Sequence, residues 1–260
     1  MELKNLLWQV EEGGVGLVTF NRPGVLNALD ARTLDELDEV VGRVERGAAR
    51  ALLLTGAGDR AFVAGADIAA MARMSPQEGR AFGERGHAVL ERLERLPVPT
   101  AAAVNGFALG GGCEVALACD LVYASERARF GLPEVGLGLV PGFGGTQRLP
   151  RRVGPMRALE LMLTGEACDA ARAREMGLAL EVLAPDRLLP HAREQLGRIL
   201  TRGPAAVAQV KRLVHAGAAL PLAAACELER QGFAAAFASS EAREGLRAFL
   251  EKRPPRFLGP

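Results

Sequence analysis

PVPTAAAVNGFALGGGCEVALACDLVYAS, Pro97 to Ser125, is the stretch whose reading decides the fold class. Pro97 and Pro99 stop the helix before them, and Thr100 to Val104 is a short continuous apolar run of buried-strand type. Asn105-Gly106 is a turn pair, and the triplet Gly110 to Gly112 opens a short helix through Ala118. Asp120 to Ala124 then returns to strand. Strand, turn, helix and strand in so short a span predict an α/β fold.

The pattern extends outward. Upstream, Ser75-Pro76-Gln77-Glu78 is a capping-box start with proline at the first helical position, and Phe82, Val89, Leu93 and Leu96 carry the apolar stripe to Leu96. Further back, Val15 to Phe20 predicts a strand closed by the turn Asn21 to Gly24. Asp30 to Arg46 predicts a helix with Leu34, Leu37, Val41 and Val44 on one face, and Arg50 to Thr55 a buried strand before the loop Gly56 to Asp59. The units around Gly56 and Gly106 are loosely alike. Beyond Pro150 the chain turns to alanine, arginine, leucine and glutamate. Helices are expected over Pro155 to Leu163, Ala170 to Met176, Pro190 to Thr201, Pro204 to Ala216, Leu222 to Phe237 and Ser240 to Lys252.

Composition narrows the function. With 32 basic and 31 acidic residues the net charge is +1, so no general basic field attracts nucleic acid or anionic lipid. No apolar run reaches the ~18 residues of a membrane span. The start, MELKNLLWQVEEGG, reads as neither signal nor transit peptide. Cys113, Cys119, Cys168 and Cys226 form no CxxC pair, which fits a reducing cytoplasm. Lysine occurs only at Lys4, Lys211 and Lys252.

Four patches combine dense glycine with acids or a helix start: Phe62 to Ile68, Asn105 to Glu114, Phe130 to Glu134 and Pro141 to Arg148. Such places expose backbone N–H groups to ligands. The glycine triplet by itself reads as a tight turn with close helix-to-sheet packing. Glu114, two residues beyond it, falls in the first helical turn, where the dipole favours its charge. Glu134 lies in the otherwise uncharged run Phe130 to Val140, which reads as buried, so its carboxyl should titrate upward. Alone, Glu114 reads as an ordinary first-turn glutamate and Glu134 as a helix or turn cap; together they make a candidate acid/base pair. No GxGxxG follows the first strand and no GxxxxGK[ST] exists. His87, His191 and His215 lack metal spacing, no serine has a GxSxG context, and no metal site is expected.

In order and spacing these patches resemble the crotonase superfamily, the enoyl-CoA hydratases and isomerases. The matching runs are AFVAGADI (Ala61 to Ile68), Pro97 to Ser125 and ARFGLPEVGLGLVPGFGGTQRLPRRVG (Ala128 to Gly154), with NRPGVLNAL at the start and EAREGLRAFLEKRPPRF at the end. The resemblance implies a spiral of repeated ββα units over residues 1–195 and a helical trimerisation region over 196–260, assembled as a homotrimer or a homohexamer. It implies an acyl-CoA substrate whose thioester carbonyl sits between the backbone N–H groups of Ala66 and Gly111, with Glu114 and Glu134 as catalytic residues. The relatives' pattern puts Ala64, Gly65, Asp67 and Ile68 along the CoA, with Asp67 a loop cap rather than an acid. It also puts Phe249 beside the acyl site and lets Lys252 approach the CoA phosphates from a neighbouring subunit.

Because both glutamates are present, the resemblance favours hydration of a trans-2-enoyl-CoA, as in fatty-acid β-oxidation, over an isomerase or a specialised 3-hydroxyacyl-CoA dehydratase. No cofactor is expected, since coenzyme A is part of the substrate. Gly24 departs from the pattern where many relatives carry a lysine or another long side chain that contacts CoA, and Ala69-Ala70 where charged residues are common. Some superfamily members bind RNA through a basic helix. Here Arg80, Arg85, Arg92 and Arg95 are interleaved with Glu78, Glu84, Glu91 and Glu94, a solvated mixed face, so neither nucleic acid nor membrane is an expected partner.

Overall fold

The computed structural model describes residues 2–257. Its strands are β1 (Leu6–Val10), β2 (Val15–Phe20), β3 (Ala51–Gly56), β4 (Ala61–Val63), β5 (Thr100–Val104), β6 (Phe107–Leu109), β7 (Leu121–Ser125), β8 (Arg129–Gly131), β9 (Cys168–Asp169) and β10 (Glu181–Leu183). Its helices are α1 (Ala31–Glu45), α2 (Ile68–Met71), α3 (Pro76–Arg95), α4 (Gly111–Leu117), α5 (Gly145–Val153), α6 (Pro155–Thr164), α7 (Ala170–Glu175), α8 (Pro185–Leu200), α9 (Pro204–Gly217), α10 (Leu222–Phe237) and α11 (Ser240–Leu250).

Two sheets form, ordered β1-β2-β3-β5-β7-β10 and β4-β6-β8-β9. In the pairs β3/β4, β5/β6 and β7/β8 the first strand joins the large sheet and the second the small one. This is a spiral of ββα turns, and the likeness between the Gly56 and Gly106 corners is its trace in sequence. Side chains are excluded at both corners: a Cβ on Gly56 would fall 2.1 Å from the Ala61 carbonyl oxygen, and one on Gly106 2.2 Å from that of Arg60. Asn105 stitches the corners together, its Nδ2 donating to the carbonyls of Gly56 and Gly58 at 3.1 and 2.9 Å.

Continuous apolar strands follow from burial on both faces. Leu17, Leu53, Ala101, Ala103 and Tyr123 pack against Leu188, Ala192 and Leu196 of α8. On the opposite face, Val18, Leu52, Leu54, Ala102 and Val104 meet the stripes of α1 and α3. Asp30 caps α1 by accepting from Thr33 N, and Ser75 and Glu78 complete the expected capping box on α3. On the outer face of α3, Arg80, Arg85, Arg92 and Arg95 each pair with an acid, Glu84, Asp35, Glu45 with Asp38, and Glu91 respectively. No free cationic comb stands there for a polyanion.

Two expectations need correction. The last long core helix starts at Pro185, not Pro190, because Pro190 is accommodated inside α8. The run Phe130 to Val140 is buried only as far as Leu132; from Val135 onward it is exposed, with Val140 at 72%. The chain turns outward there in a 3-10 helix over Pro133–Leu137. Among the described residues, no helix is long and apolar enough to cross a membrane.

Candidate active site

Three neighbouring parallel strands of the small sheet, β4, β6 and β8, end on the same side. Ligands gather at such strand ends because the loops leaving them converge. From β4 the chain runs into Ala64 to Asp67 and α2, from β6 into Gly110 and α4, and from β8 into the turn bearing Glu134. The sequence-predicted residues of the centre are thus brought together by topology.

The first loop is tied by a parallel bridge between Leu29 and Ala66. Leu29 N donates to Gly65 O at 2.8 Å, and Asp67 N donates to Leu29 O at 2.7 Å. Bonding through residues 65 and 67 turns the Ala66 N–H to the side away from Leu29. Asp67 behaves as a cap: its carboxylate accepts from Ala70 N at 3.2 Å and pairs with Arg22 at 3.1 Å. Burial pushes its carboxyl up, but Arg22 and the backbone donors outweigh that and hold it below the usual range. Arg22 also donates to Ala28 O at 2.6 Å, gripping both strands of the bridge.

Gly110 has φ +50° and ψ −125°, a conformation that glycine alone adopts without strain. The next residue, Gly111, opens α4, so its N–H has no acceptor within the helix. α4 lies directly on the end of β4: a Cβ on Gly112 would sit 1.9 Å from the Val63 carbonyl oxygen. Gly65 and Gly110 are neighbours, since a Cβ on Gly110 would lie 3.7 Å from Gly65 Cα.

Glu114, in the first turn of α4, is 1% exposed. Its Oε1 accepts from Phe143 N at 2.8 Å and Gly145 N at 2.7 Å. Burial pushes the carboxyl up to about 7, against the pull of those two N–H groups; Glu134 adds to the rise and Arg148 opposes it. Glu134 presents Oε1 to Gly110, where a Cβ would fall 2.8 Å from it, and its buried Oε2 has no hydrogen-bond partner. Burial raises this carboxyl too. An oxygen without a partner in a buried place is costly unless something else occupies it during function. Two interacting carboxyls of raised affinity for protons, beside two unpaired backbone donors, can polarise a carbonyl and move protons next to it.

The remaining expected residues are placed differently. Ala64 and Gly65 lie in the bridge loop, and Ile68 is half exposed at the start of α2. Gly24 stands in open space. Phe249 is 82% exposed on α11, which packs against α10 and holds the start of α9 through Glu241, and Lys252 follows the helix with φ +54°. Within this one chain neither reaches Glu114. Arg22, Arg148 and the donors Phe143 and Gly145 were not singled out one by one in the sequence. NRP and the glycines beside Phe143 were their only signals.

A cavity of about 920 Å³ lies between α3, α5 and α9, and neither glutamate lines it. Its charges satisfy one another: Lys211 with Asp120 at 2.8 Å, Arg148 with Glu94 at 2.8 Å, and His215 near Asp120 at 3.4 Å. Among the described residues, no group of three or more His, Cys, Asp or Glu is arranged to hold a metal ion.

Comparison with known proteins bears on this geometry. The enoyl-CoA hydratase/isomerase family profile matches residues 10–260. The chain is 46% identical over 254 residues to the short-chain-enoyl-CoA hydratase of Clostridium acetobutylicum, covering 97% of each. It is 44% identical over 259 residues to the crotonyl-CoA hydratase of Syntrophomonas wolfei, covering 99% of each. A crystal structure of enoyl-CoA hydratase from Bacillus anthracis superposes with a TM-score of 0.95 at 37% identity, covering 99% of this chain and 100% of that one.

Proposed function

The chain belongs to the enoyl-CoA hydratase/isomerase family, and on that premise we propose that it adds water reversibly to a short trans-2-enoyl-CoA, giving the 3-hydroxyacyl-CoA. The observation that carries the proposal is the pair of carboxyls facing one glycine-rich helix start: buried Glu114, fixed by two backbone N–H groups, and half-buried Glu134, with a buried oxygen that has no partner.

The Ala66 and Gly111 N–H groups receive the thioester carbonyl oxygen and stabilise the enolate that develops on it. Each such donor lowers the barrier by about 3 kcal/mol. One water is held between the two carboxyls. The addition starts with Glu114 ionised, the form its two N–H donors favour, and with a proton on Glu134, whose Oε2 no donor reaches. Glu114 takes a proton from the water as its oxygen bonds to C3. C2 takes the proton of Glu134, and the carbon–carbon double bond becomes single. The proton gained by Glu114 then returns to Glu134 through the next water, closing the cycle.

Ala64, Gly65, Asp67 and Ile68 line the CoA path, and no resident cofactor is needed because CoA arrives with the substrate. Residues 1–195 form the catalytic core, and 196–260 a helical region for self-association as a homotrimer or homohexamer. Support comes from the large apolar side chains it leaves uncovered, among them Phe233, Phe237, Phe249 and Leu250. Assembly brings Phe249 to a neighbour's acyl site and Lys252 to its CoA phosphates. The unpaired cysteines suit the cytoplasm.

The test is the loss of enoyl absorbance on mixing purified protein with crotonyl-CoA and with longer trans-2-enoyl-CoAs. Rapid loss with formation of 3-hydroxyacyl-CoA, fastest for the short chain, is expected. No loss with any chain from protein that binds CoA esters would overturn the proposal.

A further inference from the structure

We infer that Arg148 is a positioning residue for Glu114, holding from behind the backbone turn that grips this carboxylate, with Glu94 of α3 as its anchor. This inference rests on the proposed role of Glu114.

The geometry is a clamp. On the front of the turn Phe143 N and Gly145 N both donate to Glu114 Oε1, at 2.8 and 2.7 Å. At the back, Arg148 Nη1 donates to the Phe143 carbonyl oxygen at 2.8 Å. Between the two donors Gly144 takes φ +104°, and a Cβ there would fall 2.4 Å from Arg148 Nη1, so the guanidinium lies flat against the turn. The guanidinium is fixed in turn by Glu94, whose Oε2 accepts from Nε at 3.1 Å and Nη2 at 2.8 Å. Arg148 is only 15% exposed. A mostly buried ion pair adds little net stability over an apolar pair of similar size, so its use here is geometric. Without it the Phe143 carbonyl loses its donor and the turn can rotate. Both N–H groups then swing away from Glu114, at the scale of misplacement that costs catalysis most.

The positive charge acts in the same direction, because Arg148 favours the ionised form of Glu114. The groups facing Glu114 are Glu134 from the 3-10 turn and Arg148 from α5. Around Arg148 stand Glu94 and His87 of α3, and His215 of α9, whose Nδ1 is 3.9 Å from Glu94 Oε1. The pair Lys211 and Asp120 lies just beyond. Glu114 must be ionised to accept the water proton, so activity is lost as pH falls through its pKa. Removing the Arg148 charge therefore moves that acidic limb to higher pH.

Crotonyl-CoA hydration is measured across pH for the wild type, Arg148→Met, Arg148→Lys and Glu94→Gln, with circular dichroism on each. For Arg148→Met we expect kcat to fall about 10- to 100-fold while KM stays within about threefold. The acidic limb should move up, and Arg148→Lys should recover part of both changes. Glu94→Gln, which keeps the arginine, should lower kcat less and in the same direction. Should Arg148→Met fail to fold, Arg148→Lys and Glu94→Gln decide. Folded variants with wild-type kcat and an unmoved acidic limb would overturn the inference, even if their melting temperatures fell. A wild type that does not hydrate crotonyl-CoA would overturn the hydratase proposal together with this one, whereas an active wild type matched by the variants overturns only the role of Arg148.

Discussion

Replacing Glu114 by glutamine should make the protein a far poorer catalyst and, above neutral pH, a more stable one. The amide oxygen can still accept from Phe143 N and Gly145 N, so the geometry is kept. What disappears is the charge. Burial raises the carboxyl from 4.5 to about 7, so between those values the unfolded chain releases a proton that the native one keeps. Stability therefore falls as pH rises through this window, and above it the ionised group costs the native state at most about 3 kcal/mol, from 1.36 kcal/mol per unit. Glutamine never ionises and escapes this cost. At about pH 5 wild type and variant should unfold nearly together, and at about pH 8 the variant should be the more stable, in urea titrations at one protein concentration. Its kcat should meanwhile fall about 10²- to 10⁴-fold, the contribution of a general base. A variant equally destabilised at both pH values, or one retaining full turnover, would refute the reasoning.

Other perturbations test the surroundings. Asp67→Ala removes the cap of α2 and one partner of Arg22, loosening the Ala66 loop. It should lower kcat roughly tenfold with a smaller change in KM, so steady-state kinetics with an unaltered kcat would dissociate the loop from catalysis. Glu36→Ala strips the acceptor from Lys4 N, Asn5 N and Leu6 N, which the fully buried carboxylate holds at 2.8 to 2.9 Å. A loss of about 3 kcal/mol is expected at neutral pH in denaturant titration. Burial pushes Glu36 up, but these donors and Arg32 outweigh it and leave its carboxyl low. Its contribution is thus present above the unfolded pKa and lost on acidification, so the gap between variant and wild type should narrow at low pH. If the exposed face of α10 carries the proposed self-association, Phe233→Asp should give smaller species in light scattering and lower activity, while an unchanged mass would place the contact elsewhere.

The central strands of the large sheet, β2, β3, β5 and β7, were legible because they are buried on both faces, which leaves unbroken apolar runs at Leu52 to Leu54 and Ala101 to Val104, whereas the partly exposed edge strands β1 and β10 were not. The small sheet was not, since β4, β6 and β8 have three residues each and no period can be read from three positions. Yet those strands aim the site, and only their glycine-rich exits showed in the sequence. Apolar content misled at Val135 to Val140, where side chains that suit a core stand exposed on one chain. Glu36 looked like an ordinary residue of α1, because nothing local reveals that the chain entering β1 needs its carboxylate. Arg148 was hidden for the same reason, as its anchor Glu94 lies 54 residues away. Glu114 and Glu134, by contrast, stood out as acids among glycines, and desolvation raises the proton affinity of both.

On this mechanism the two carboxyls together place a water-derived hydroxyl at C3 and a proton at C2. Crotonyl-CoA turned over in heavy water, with the product analysed by proton NMR, tests it most directly. A hydroxyl at C3 and one deuteron at C2 are expected, with both features lost together in Glu134→Gln. A double bond moved along the acyl chain, with exchange at its carbons and no hydroxyl, would contradict it.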